Sequence, residues 1–77
     1  MNTIDNFDHI LLFKTNISCN NDKQLLHKLL DNNPAIQCWS IDMEDSDCVL
    51  RIISETLSHT QIIEMIKPHG YYCCELT

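Results

Sequence analysis

The sequence predicts a single α+β domain in which four strands form one antiparallel sheet and two helices cover one of its faces. Three observations carry this. Leu25, Leu26, Leu29 and Leu30 recur at the i, i+1, i+4, i+5 spacing that gathers four leucines on one helical face. Apolar Trp39, Ile41 and Met43 alternate with polar Ser40 and Asp42, the period of two that marks a sheet with one buried side. Ser58-His-Thr-Gln61 has the form of a capping box and announces a second helix. The 77 residues leave room for one core, so one domain is expected over 1–77, folded over about 9–76.

Taken in order, His9-Ile-Leu-Leu-Phe-Lys14 is a short apolar run ended by Thr15-Asn16, too short for a helix and suited to a central strand. A loop over 16–21 leads to the leucine-striped helix. Asn21 or Asp22 can cap its first turn, and Asp31-Asn-Asn-Pro34 ends it, because proline disfavours helical conformation in the residue before it. The second strand is expected over 36–43 and a hairpin over 44–47. The third strand, 48–53, places Leu50 and Ile52 on one face and Val49, Arg51 and Ile53 on the other. In the second helix Leu57 and Ile62 flank the capping box as a hydrophobic staple, and Ile62, Ile63 and Ile66 form the buried stripe. Lys67-Pro-His-Gly70 stops that helix, and residues 71–76 make the last strand. The order β-α-β-β-α-β is that of ferredoxin-like folds.

Composition excludes several functions. Eleven acidic against five basic residues, a net charge of −6, argue against a nucleic-acid or anionic-membrane surface, since each phosphate contact needs a Lys or Arg. The longest apolar run, 10–13, is far short of the ~20 residues that span a bilayer. The segment 1–8 carries two acids and no base, unlike a secretory leader, so a cytoplasmic location is expected. In that compartment the five cysteines, Cys19, Cys38, Cys48, Cys73 and Cys74, are expected to be reduced. The acidic run 42–47 reads as a solvated turn. With one glycine the chain has no Gly-rich phosphate loop, and its sole arginine, Arg51, falls inside a strand, so no enzymatic activity is expected.

Over residues 10–76 the chain resembles the heavy-metal-associated domain family of copper and zinc carriers. The likeness is centred on Lys14-Thr-Asn-Ile-Ser-Cys-Asn-Asn-Asp22, with Ile36, Trp39, Ile41 and Asp42 fitting the second strand, 49–52 the third, and Lys67 to Tyr71 the approach to the last. The family motif is Met-x-Cys-x-x-Cys. Here Ile17 takes the Met position, Cys19 the first ligand position, and Asp22 stands where the second Cys would be. Two thiolates can grip Cu(I) in near-linear geometry, whereas one thiolate with a carboxylate shifts the preference toward a borderline ion such as Zn²⁺. The resemblance places the loop before the last strand beside the metal loop. It therefore implies Cys19, Asp22 and His69 as a metal-binding set, with one position left for a partner.

Each of these residues also has a plainer role. Asp22 stabilises a helix N-terminus whatever else it does, His69 reads as an exposed loop residue, and Cys19 as a thiol kept without use. By the family pattern Cys73 is a core residue and Cys74 faces the open side of the sheet. Cys38 and Cys48 are read as strand residues, and His9, His27 and His59 show no common spacing. Two functions stay open. One is binding or transfer of Cu(I) or Zn²⁺ through Cys19, with a metal-transport or target protein as partner. The other is a metal-free interaction or regulatory module that uses its open sheet face, which could also join two copies as a homodimer.

Overall fold

A computed structural model describes residues 10–76. Its elements are β1 (Ile10–Thr15), α1 (Asn20–Leu30), β2 (Cys38–Asp42), β3 (Val49–Ile53), α2 (His59–Ile66), a 3-10 turn (Lys67–His69) and β4 (Cys73–Glu75). The strands form one antiparallel sheet in the order β2-β3-β1-β4. The α+β ferredoxin-like arrangement expected from the sequence is thus observed, with β1 and β3 at the centre and β2 and β4 at the edges. His9 and the segment 1–8, to which the strand and leader expectations extended, lie outside the described residues.

One face of the sheet is the core. Leu11, Phe13, Leu50, Ile52 and Cys73 point toward the helices and join Leu26 and Leu30 of α1 and Ile62 and Ile66 of α2 in a single buried cluster. Both helices therefore lie on that side. Alternation then puts Ile10, Leu12, Val49, Ile53 and Cys74, all half-buried, on the opposite side together with exposed Arg51 and Ser40. In α1 the leucine stripe is graded: Leu26 and Leu30 are fully enclosed, Leu25 and Leu29 only partly. In α2 the capping box forms as expected, the Ser58 hydroxyl accepting the Gln61 amide at 3.3 Å and the Gln61 side chain accepting the Ser58 amide at 2.8 Å.

Several boundaries differ from expectation. The N-cap of α1 is Cys19, not Asn21 or Asp22, and its side chain makes no capping hydrogen bond. The cause is Ile17, which is wholly enclosed in the core and starts the helix two residues after it. Thr15 does not end β1 but belongs to it: it is buried, its hydroxyl donates to the Cys48 carbonyl at 2.7 Å, and its oxygen accepts the Ile17 amide at 3.1 Å. Cys48 is not a strand residue but a left-handed turn residue, φ 46°, which reverses the chain into β3. Tyr71 and Tyr72 precede β4 rather than opening it, because Gly70, φ 90°, turns the chain out of the 3-10 helix first.

The acidic run is a hairpin turn whose carboxylates serve its own backbone. The Asp42 Oδ1 accepts the amides of Glu44 and Asp45 at 3.1 and 3.3 Å, and the Asp45 Oδ1 accepts that of Asp47 at 2.8 Å. These are local acceptors of the kind that turn acids supply, which accounts for Asp42 and Asp45, while Asp47 faces Lys14 at 3.8 Å.

Candidate metal centre

The candidate centre lies where β1 gives way to α1. Three contacts fix the connecting loop: Ile17 plugs the core, Thr15 bonds to Cys48, and the Asn16 Oδ1 accepts the Tyr72 amide at 3.0 Å. With its base held, the loop turns Ser18 and Cys19 outward, and both are exposed. Cys19, in extended conformation, delivers its carbonyl to the Lys23 amide at 3.0 Å and starts the helix. Asp22 then falls three residues on, in the first turn, where its negative charge meets the free amides of the helix end.

The Asp22 carboxylate is the hub. Its Oδ1 accepts the Tyr71 hydroxyl at 2.6 Å, a contact between residues 49 apart in sequence. Hydrogen bonding by Tyr71 first, then by the Cys19 side chain, with a lesser backbone contribution at Ser18, holds the carboxyl below the ordinary value against the opposing effect of desolvation. The Tyr71 phenol is moved the other way, upward, by donating to Asp22, by desolvation, and by the charges of Asp22 and Cys19. At neutral pH Asp22 is therefore an ionised carboxylate that accepts the Tyr71 phenol at the start of α1.

The sign of the linkage follows from these directions. Because folding depresses the carboxyl of Asp22, the stability it contributes is present above the unfolded-state value and is lost as pH falls through the folded-state value. Replacing Tyr71 by Phe removes the leading cause of the depression. The Asp22 carboxyl is then expected to titrate at higher pH than in the unaltered protein, read from the pH dependence of its side-chain carbonyl ¹³C shift. A titration unmoved by Tyr71→Phe would mean that the phenol does not hold this carboxylate.

Of the residues the sequence pointed to, Cys19 and Asp22 come together. His69 stands exposed at the end of the 3-10 turn. Among the described residues no group of three His, Cys, Asp or Glu side chains gathers closely enough to hold a metal ion. The third member of the cluster is instead Tyr71. Its position after Lys67-Pro-His-Gly70 was visible in the sequence, but its bond to Asp22 is not encoded in any local spacing.

The donor set can be tested against the metals the family resemblance implies. A near-linear Cu(I) site needs two thiolates. Cys48 and Cys73 are buried, the latter with its thiol pushed up to about 11, chiefly by desolvation and then by the charge of Cys74. Cys38 belongs to edge strand β2, and Cys74 shares the open face, 3.0 Å from the Tyr72 hydroxyl. The two donors that adjoin are thus one sulfur and one oxygen. This pair suits part of the coordination shell of a borderline ion and leaves the remainder to be supplied.

Fold and site together define a small ferredoxin-like α+β domain with an exposed thiol, Cys19, and a half-buried carboxylate, Asp22, at one helix N-terminus. No protein-family model, curated protein or solved structure matches the chain.

Proposed function

We propose that this protein is a non-enzymatic metal-binding module that presents Cys19 and Asp22 as a paired sulfur and oxygen donor set for a borderline ion such as Zn²⁺. The remaining ligands come from a partner in a metal-transfer complex. The observation that carries this reading is an exposed Cys19 at the N-cap of α1, three residues before the Asp22 carboxylate that the Tyr71 hydroxyl holds ionised at 2.6 Å. The helix N-terminus favours the negative charge of the Asp22 carboxylate. Incomplete coordination suits a carrier, because handing an ion on requires the receiving protein to enter the coordination shell. Cu(I) would need a second thiolate and so would bridge two chains through Cys19. A reduced Cys19 suits the cytoplasm, where thiols are kept free.

A competition titration of Zn²⁺ against a chromophoric chelator tests the pair. Asp22→Asn keeps the shape of the side chain but removes its charge, and binding is expected to weaken by at least about tenfold, the scale of losing an ion's supporting group. Equal affinities in the two proteins would remove Asp22 from the site.

A second reading has its own observation. The open sheet face carries half-buried Leu12, Val49 and Ile53, the 55% exposed Tyr72, and the only arginine of the chain. Exposed apolar surface of this kind commonly contacts another protein, and a regulatory or interaction module would use it.

A further inference from the structure

A second surface, at the outer edge of β2, is built to meet a copy of itself. Strand β2 pairs only with β3, so among the described residues its other side presents unpaired backbone N–H and C=O groups. Natural proteins guard such an edge with proline, lysine, a bulge or a covering element. The edge here reads Cys38, Trp39, Ser40, Ile41, Asp42 and has no proline or lysine.

Helix α1 lies above this edge and forms a cleft with it. The Trp39 Nε1 donates to the Asp31 Oδ1 at 2.7 Å, and the other oxygen of Asp31 bonds the His27 Nδ1 at 2.7 Å. The His27 and Trp39 rings meet edge-on with centroids 4.9 Å apart. The upper wall of the cleft is the stripe Lys23, His27, Asp31, and the lower wall runs from Cys38 to Ile41. Residues at i, i+4 and i+8 fall on one side of a helix, so this side carries a cation, a histidine and an anion in that order. Lys23 makes no ion pair among the described residues.

That order is self-complementary. A two-fold axis perpendicular to the sheet makes two β2 strands antiparallel and two α1 helices antiparallel beside them. Centred on His27, it sets Lys23 of each copy against Asp31 of the other. The strand register that pairs all five residues of β2 is centred on Ser40, which is at the same level, because His27 packs against the adjacent Trp39. In that register Trp39 lies across from Ile41 of the second copy on the helical side, an apolar pair. Asp31 keeps its bonds to Trp39 and His27, since a carboxylate has further lone pairs for a lysine.

From this geometry we infer that two copies of the chain associate through their β2 edges into a continuous eight-stranded sheet, locked by reciprocal Lys23 to Asp31 pairs. This association is independent of the metal reading. Cys19 lies eight residues from the axis along α1, which separates the two thiols by roughly 24 Å along the helix direction, too far to share an ion.

The test is sedimentation equilibrium of the full 77-residue chain, reduced and metal-free, from micromolar to millimolar concentration. The unaltered protein is expected to form a dimer. Lys23→Glu, which sets two glutamates against two aspartates, is expected to shift the dissociation constant upward by at least tenfold while circular dichroism stays native. The register is read separately by Ser40→Cys in a Cys19→Ser, Cys38→Ser background. Opposed Cα atoms in an antiparallel ladder lie about 4.5–5.5 Å apart, within disulfide reach, so oxidised glutathione is expected to yield a covalent dimer. A chain that remains monomeric at millimolar concentration would overturn the inference. So would a dimer indifferent to Lys23→Glu, or one that gives no Ser40→Cys crosslink.

Discussion

Replacing Phe13 by alanine is expected to lower the stability of the domain by about 3–5 kcal/mol, the range for deleting a fully enclosed aromatic side chain. Phe13 has no exposed surface, sits on central strand β1 between Leu50 of β3 and Glu75 of β4, and packs its ring 5.2 Å from that of His59 on α2. It therefore joins the sheet to the second helix. Domains of this size are stable by on the order of 5–10 kcal/mol, so the loss consumes much of the total. In a urea titration the midpoint should fall steeply with the slope unchanged. Tyr72→Ala, on the open face, serves as the control and should move it by less than about 0.5 kcal/mol. A Phe13→Ala loss below about 1 kcal/mol would mean that the core is not packed around this ring.

The second large effect concerns Cys19. Serine keeps the size and the exposed position but exchanges a soft sulfur, which binds as thiolate, for a hydroxyl that stays protonated near neutral pH. Cys19→Ser is therefore expected to abolish specific binding of Cu(I) and to weaken that of Zn²⁺ beyond the effect of Asp22→Asn, since the strongest donor is gone. Folding should be retained with no loss of stability, because Cys19 is exposed, its side chain makes no capping bond, and serine is a favoured residue at an N-cap. An unfolding midpoint no lower in Cys19→Ser than in the unaltered protein would show that lost binding is a property of the ligand and not of the fold.

Much of the architecture was written in local pattern. The leucines of α1, the alternation in β2, the capping box at Ser58 and the Pro-Gly stop after α2 are each short-range signals, and each element formed where they stood. The start of α1 was not legible to the residue. Asn16, Ser18, Asn20, Asn21 and Asp22 are all capping types, and the choice is made by Ile17 entering a core assembled from distant strands. The turn residue Cys48 was hidden for the same reason: its left-handed backbone is fixed by the Thr15 hydroxyl from another strand.

The candidate site divides along the same line. Cys19 and Asp22 are the N-cap and third residue of α1, so their closeness follows from local chain geometry at one helix end. Tyr71 reaches Asp22 from 49 residues away and could be found only in three dimensions. The cluster of His27, Asp31 and Trp39 was half visible, in the i, i+4 spacing of the first two. The third enters from edge strand β2.

The most direct measurement of the metal-binding account is native mass spectrometry of the reduced protein loaded with Zn²⁺ and, separately, with Cu(I), beside Cys19→Ser. It reports ion stoichiometry and chain stoichiometry together. The account predicts one Zn²⁺ per chain, or one Cu(I) per two chains, and loss of the specific ion in Cys19→Ser. The same ion count in both proteins, or no specific ion in either, would contradict it.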